Sequence, residues 1–335
     1  MIADSIMEND IVTPRVSVLM ISYNHENFIA QAIESVIMQK TKFPFELVIG
    51  EDCSTDNTRE IIEGYQQKYP KIIKLLPSDK RYGPNQNFVR VYKACRGEYI
   101  ATLEGDDYWI DEEKLQMQVD LLDNKPELSG CFHHVKQLTM SDNMLTDFWP
   151  KEPRGDVDAF DFLTLNTFHT TALMFRKSIF CTELPEVMLK CKNFDYSLYL
   201  YLADKSSIGY IDRSMSVYRI HDSGVWSSLS DIDRCEESIK TYKLLDSAFN
   251  NKYHRQLLIN IVKVYHLLAI NHLKFGNKWK AFKFESKCIL SRYRFVTISP
   301  NEHFKIIIGI IRQFIPAMFL DFILTLKKKK KIKLY

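Results

Sequence analysis

Residues 16–39 read VSVLMISYNHENFIAQAIESVIMQ, and the hydrophobic period changes partway along them. VSVLMI is a short apolar run with β-branched residues, as a strand buried on both faces requires. From about residue 27 the apolar residues recur at three- and four-residue spacing, the stripe of an amphipathic helix over 27–39. The same alternation repeats downstream. Apolar runs at 46–50 (ELVIG), 71–76 (KIIKLL) and 99–103 (YIATL) read as strands, and 56–68 and 84–95 carry helical spacing. This βαβα order implies a parallel, doubly wound sheet, because each crossover must lay its helix back on the sheet.

In such sheets ligands bind beyond the carboxyl ends of the strands. SYNHEN (22–27), EDCSTDNT (51–58) and EGDDYW (104–109) fall at those ends. The third sets Glu104, Asp106 and Asp107 within four positions. Like charges that close oppose full ionisation unless a cation joins them. An acidic turn before a helix is the plainer alternative. A magnesium-like ion bridging carboxylates to a diphosphate fits the pattern, whereas a calcium loop does not, since Gly105 interrupts the acidic run and no glutamate closes a twelve-residue loop.

Composition narrows the class. With 335 residues, 46% of them hydrophobic, the chain supports one large domain with additions or two domains. The net charge of +3 is small and owes much to the terminal KKKKKIK, so a nucleic-acid-binding surface is not expected. Seven scattered cysteines without CxxC spacing suit reduced thiols and exclude a zinc ribbon. MIADSIMEND has no secretory pattern, so the body is expected in the cytosol. GxGxxG and GxxxxGK[ST] are both absent, which removes the usual dinucleotide and P-loop readings.

The second half is less regular. It reads as a helix at EKLQMQVDLL, a strand near CFHHV, a polar loop around SDNMLTDFWPKEPRGD, an apolar run at TTALMF, a helix at 195–204, and two strands near SIGYI and SVYRI. His133 and His134 read as structural residues of the CFHHV strand. Residues 228–290 are mostly helical by period, with Leu257, Ile261, Tyr265 and Leu268 on one stripe and a turn at Gly276–Asn277.

VSVLMISYNHENFIAQAIESVIMQ, ELVIGEDCSTDNT and ACRGEYIATLEGDDYW, in this order, resemble the nucleotide-sugar half of family 2 glycosyltransferases over roughly residues 15–226. The resemblance implies a GT-A fold, a Rossmann-like doubly wound mixed sheet, followed here by a C-terminal helical region. It places Ser22, Tyr23 and Asn24 in the nucleoside pocket and Asp52 on the uracil. Ser54 is counted with that pocket, although most polar residues of this stretch read equally well as helix caps. Gly83 and Asn87 match the stretch facing the diphosphate. Glu104, Asp106 and Asp107 fall on the DxD region, which holds the ribose and a Mn²⁺ or Mg²⁺, and His221 in YRIHDSGVWS approaches the metal or the leaving phosphate. Asp195 matches the catalytic base of inverting members, while its position also suits a helix N-cap. Glu51, Cys53, Glu104 and Phe194 depart from the usual DDGS, DxD and ED residues.

Four segments are expected: an N-terminal tail (1–14), the transferase domain (15–227), a helical domain (228–300) and an amphipathic, Lys-rich tail (301–335). In the tail, FKIIIGIIRQFIPAMFLDFILTL is interrupted by Lys305, Arg312, Pro316 and Asp321, which favours lying on an anionic membrane surface over spanning it. Packing on the body or on another subunit is the alternative. The expected activity is metal-dependent inverting transfer from a nucleotide-diphospho-sugar, UDP-linked, to a lipid-linked or surface-glycan acceptor on the cytosolic face of the plasma membrane. A nucleotidyltransferase, or a non-catalytic nucleotide-sugar-binding protein at the membrane, competes with it. The sequence leaves the oligomeric state open.

Overall fold

The computed structural model describes residues 13–149, 155–165, 169–180, 183–222, 224 and 228–295. The expected tail at 301–335 and nearly all of the expected N-terminal tail lie outside them. The chain divides into two compact units between Ser227 and Ser228.

The first unit alternates strand and helix as the apolar periods dictate: β1 (Val16–Ser22), α1 (Ile29–Ile37), β2 (Phe45–Glu51), α2 (Thr58–Lys68), β3 (Ile73–Leu76), α3 (Pro84–Ala94) and β4 (Tyr99–Glu104). It continues through β5 (Tyr108–Trp109), α4 (Lys114–Asn124), β6 (Gly130–Thr139), β7 (Met144–Trp149), α5 (Ala159–Leu165), β8 (Met174–Arg176), α6 (Glu186–Lys190), α7 (Phe194–Lys205) and β9 (Ile208–Ile220). The described strands form one mixed sheet in the order β3-β2-β1-β4-β8-β6-β9-β5, with β7 on β6. β3, β2, β1 and β4 are mutually parallel, and β8 turns the direction by pairing antiparallel to β4. β6 then runs antiparallel to β8 and parallel to β9.

Val18, Met20, Leu47, Ile49 and Ala101 from the strands, with Ile29, Ile33 and Val36 from α1, make a closed core. α1 buries the side that its spacing predicts. Three expectations are corrected. The polar stretch 141–156 contains strand β7, because its alternating MLTDFW pairs with β6. SIGYI and SVYRI belong to one strand, β9, which follows β6 with register shifts at His134. Tyr108 and Trp109, read as part of an acidic turn, pair with β9.

The second unit comprises α8 (Asp231–Ala248), α9 (His254–Lys274) and α10 (Lys278–Phe295). Ser230 caps α8 by accepting from the Asp233 N–H at 3.1 Å, which satisfies one of the orphan donors of the first turn. Ile261 and Leu268 of the expected stripe join Cys235 and Ile239 in its core, with Tyr265 packed against them. Gly276, at φ 73°, makes the turn between α9 and α10.

Two glycines predict opposite outcomes. A Cβ at Gly97 would meet the Ser17 nitrogen at 2.4 Å and the Val16 carbonyl carbon at 2.8 Å, both backbone atoms that cannot swing aside. Gly64 lies inside α2 with nothing within 4 Å. Gly97→Ala should cost about 1–3 kcal/mol, whereas Gly64→Ala should stabilise by about 0.5–1 kcal/mol. Denaturant titration of both variants measures the contrast.

Candidate active site

Parallel register brings three polar strand ends level. Ser22 pairs with Glu51 and Ile21 with Glu104, so the loops after β1, β2 and β4 leave the sheet at one edge. Two of these loops are laced together. The Asn24 N–H donates to Ser54 Oγ at 3.0 Å, Asn24 Oδ1 accepts from the Thr55 N–H at 2.8 Å, and the His25 N–H donates to Thr58 Oγ1 at 2.7 Å. Asn24 and Cys53 take left-handed backbone, at φ 55° and 61°, to make these turns. Asn24 and Ser54 therefore fasten these two loops to each other. Tyr23 stands beside them with the Arg81 guanidinium 3.9 Å from its ring centroid.

Asp52 is also committed to the scaffold. Its two oxygens accept from the Tyr82 and Gly83 N–H groups at 2.7 and 2.8 Å, which positions the loop before α3. Asn87, expected against the diphosphate, faces the sheet instead. It is buried, its Nδ2 donates to the Gly50 carbonyl at 2.7 Å, and its Oδ1 accepts from Arg90. Gly50 has to be a glycine because any Cβ there would collide with Asn87 and Val91.

The chemistry concentrates after β4. Gly105 admits no side chain, since a Cβ would lie 2.9 Å from both His25 Nδ1 and Ser22 Oγ. That close approach sets Asp106 beside two imidazoles: His221 Nε2 lies 3.1 Å and His25 Nε2 3.6 Å from Asp106 Oδ2. Asp107 turns the other way, into the sheet, where its Oδ1 accepts from the Arg219 N–H at 2.8 Å. The buried Arg219 side chain donates to the Asp106 carbonyl and to Gln31, with its guanidinium 4.3 Å from the Tyr108 ring centroid. Trp109, also buried, donates to the Thr171 carbonyl at 3.1 Å and ties the acidic run to the turn that carries Thr170.

Glu104 closes the group. Thr170 lies beside its carboxyl, and Glu104 Oε2 is buried with no hydrogen-bond partner among the described residues. Asp195 opens α7 within electrostatic reach of Glu104 and Tyr199. Asp195 accepts from the Tyr196 N–H at 2.8 Å and stays open to solvent.

These surroundings split the carboxyl groups by charge. Burial alone would raise Asp106, but His25 and the hydrogen bond from His221 overcome it and hold the pKa at about 2. Burial lowers the pKa of His25 itself, so His221, the nearer imidazole, is the firmer partner. Burial, reinforced by the charges of Asp106 and Asp195, pushes Glu104 up to about 8. Asp107 is raised by burial and then by Asp106 and Glu104, and Asp195, although water reaches its side chain, is raised because the protein packed around it leaves the carboxylate incompletely hydrated. One carboxylate is thus ionised next to neighbours that favour their protons. That is how three acids share one turn.

A divalent cation fits the Asp106–His221 pair. Magnesium-like ions bound through a nucleotide need one or two protein ligands, with phosphate oxygens and water completing the sphere. Asp107, also expected as a ligand, has its Oδ1 engaged by the backbone of β9. Among the described residues, a set of three ligand atoms within 4.8 Å of one another occurs only at His266, Glu285 and Cys288, in the second unit.

His25, Thr170, Tyr199 and Arg219 join this group without having been expected there. His25 and Arg219 sit inside the quoted SYNHEN and YRIH motifs, so they were within view. Thr170 and Tyr199 carry no local signal.

A parallel Rossmann-like half with an acidic carboxyl edge, extended by antiparallel strands, is the GT-A fold. Residues 17–182 match the family model described as Glycosyl transferase family 2, and this stretch is a glycosyltransferase domain of that family. It is 35% identical over 212 residues to an uncharacterized protein of Mycobacterium tuberculosis, covering 63% of this chain and 60% of that one. The chain thus spans about three fifths of the length of that curated relative. Among solved structures, S. aureus TarS 1–349 with UDP-GlcNAc superposes at a TM-score of 0.55, with 19% identity, over 83% of this chain and 81% of that one. The mannosyltransferase PcManGT of Pyrobaculum calidifontis, with GDP-Man and Mn²⁺, superposes at 0.50, with 15% identity, over 85% and 76%.

The Glu104 shift predicts a pH-dependent stability difference. Its folded pKa, about 8, exceeds the ordinary value of 4.5, so the fold binds this proton more tightly than the unfolded chain does. The associated stability is present below 4.5 and is lost as pH rises through 8. Glu104→Gln should therefore match the wild type near pH 4 and exceed it increasingly up to pH 8, by at most about 1.4 kcal/mol per pH unit. Melting curves across that window, without divalent ions, test it.

Proposed function

We propose that the chain transfers a sugar with inversion from a nucleotide-diphospho-sugar, UDP-linked, to a hydroxyl of a lipid-linked or surface-polysaccharide acceptor, with Mn²⁺ or Mg²⁺ as cofactor. The observation that carries this reading is the division of charge after β4. Ionised Asp106 pairs with His221, while Glu104 lies within electrostatic reach of both Asp106 and Asp195.

Donor recognition falls to the edge formed by Ser22, Tyr23 and the loop that Asp52 and Gly83 hold. Asp106 and His221 would hold the cation, which when bound would supply positive charge to the leaving diphosphate. His25, also beside Asp106, is positioned to donate to a phosphate oxygen. Asp195, open to solvent with a raised pKa, accepts the acceptor's hydroxyl proton. The acceptor oxygen bonds to the anomeric carbon as the bond to the diphosphate breaks, and the electron pair leaves with the diphosphate. A single base on the face opposite the leaving group gives inversion. The structures of TarS with UDP-GlcNAc and PcManGT with GDP-Man support a nucleotide-sugar donor and leave the base to be determined. The apolar, Lys-rich segment 301–335 supports placement at the cytosolic face of the membrane.

Hydrolysis and transfer assays across UDP-, GDP- and dTDP-sugars, with and without Mn²⁺, test the proposal. Asp195→Asn should lower kcat by about 10²–10⁴ with donor KM nearly unchanged. The acid limb of the wild-type profile should lie above 3.8, because Asp195 has to be ionised to act and its pKa is raised. Full turnover in Asp195→Asn would remove that residue as the base. Absence of both binding and hydrolysis for every donor would remove the transferase reading.

A further inference from the structure

The turn between α9 and α10 exposes aromatic residues that a solvated helix pair does not need. Phe275 is 71% exposed, Trp279 74% and Leu290 69%, with Phe282, Leu267 and Ile270 also exposed. The Trp279 and Phe282 rings stack with centroids 6.0 Å apart. At about 100° per residue, Trp279, Phe282 and Leu290 share a sector of about 80° on α10. The opposite side of the helix buries Ala281, Glu285 and Cys288. The apolar sector is therefore separate from the packed face.

The charges around it have one sign. Lys278, Lys280, Lys283 and Lys287 are exposed and flank the sector, and Lys274 is exposed at the end of α9. Glu285, the acid of this stretch, is buried and hydrogen-bonded to His266 at 2.9 Å, so it offers no compensating charge to a partner. An apolar strip with exposed aromatics between flexible ammonium groups matches the boundary between acyl chains and anionic headgroups.

We propose that this face of α9 and α10 docks on the surface of a bilayer containing anionic lipid, with Phe275, Trp279 and Phe282 entering the headgroup boundary. The surface is distinct from the Lys-rich segment 301–335, and it does not depend on the transferase reading, since docking is measured without a sugar donor.

The test uses the full chain with vesicles of phosphatidylcholine alone or mixed with phosphatidylglycerol, some with brominated acyl chains. Anionic vesicles should bind the chain, and brominated lipid should quench an emission component that Trp279→Phe removes. Trp279→Ser/Phe282→Ser should bind at least about tenfold more weakly. Lys280→Glu/Lys283→Glu, which leaves the apolar area intact, should weaken binding to anionic vesicles several-fold and provides a second reading if the first pair fails to fold. Wild-type binding by both double variants, or emission from Trp279 that vesicles leave unchanged, would overturn the proposal. So would a concentration-dependent dimer, seen by sedimentation, that the Trp279→Ser/Phe282→Ser pair abolishes while vesicle binding stays intact.

Discussion

Electrostatic repulsion at the end of β4 is the constraint on which the first unit's chemistry depends. A turn carrying Glu104, Asp106 and Asp107 cannot hold three charges away from bulk water unless hydrogen-bond donors or cations compensate them. The fold supplies them unevenly. His221 and His25 converge on Asp106, the backbone of Arg219 takes Asp107, and Glu104 is left buried with a raised pKa. Gly105 makes this possible, because only a residue without a side chain lets β1's loop bring His25 so near. Charge is thereby focused on one carboxylate, next to an imidazole, at the edge where a diphosphate would arrive.

The same arrangement explains how the two halves of the sheet cooperate. β1, β2 and β4 deliver their polar ends level because parallel register aligns them. β9, which brings Arg219 and leads to His221, reaches that edge only because β8 reverses the direction of the sheet and β6 carries β9 alongside it. The site is therefore a product of the mixed topology. A parallel half alone would leave Asp106 without its nearer partner.

The parallel half was legible because its strands are unbroken apolar runs and its helices keep a regular stripe. β7 was not, since MLTDFW alternates within a polar stretch and pairs with a strand that local pattern cannot identify. β5 was hidden for the same reason, two residues being too short for any period. At the site, Asp106, His221 and Asp195 could be read from motifs. Asn87 misled, because an asparagine early in a helix looks like a ligand group until Gly50 is seen packed against it. Asp107 turns away from Asp106 toward β9, because adjacent carboxylates in a turn point to opposite sides, and sequence does not say which residue takes which side. Tyr199 and Thr170 come together only through tertiary packing.

The most direct measurement is Mn²⁺ binding followed by electron paramagnetic resonance in the presence of a nucleoside diphosphate. One nucleotide-dependent Mn²⁺ per chain is expected, lost in Asp106→Asn and His221→Ala and kept in Asp107→Asn, which preserves the oxygen that Arg219 uses. Binding that survives in Asp106→Asn, or disappears in a folded Asp107→Asn, would contradict the division of charge proposed for this edge.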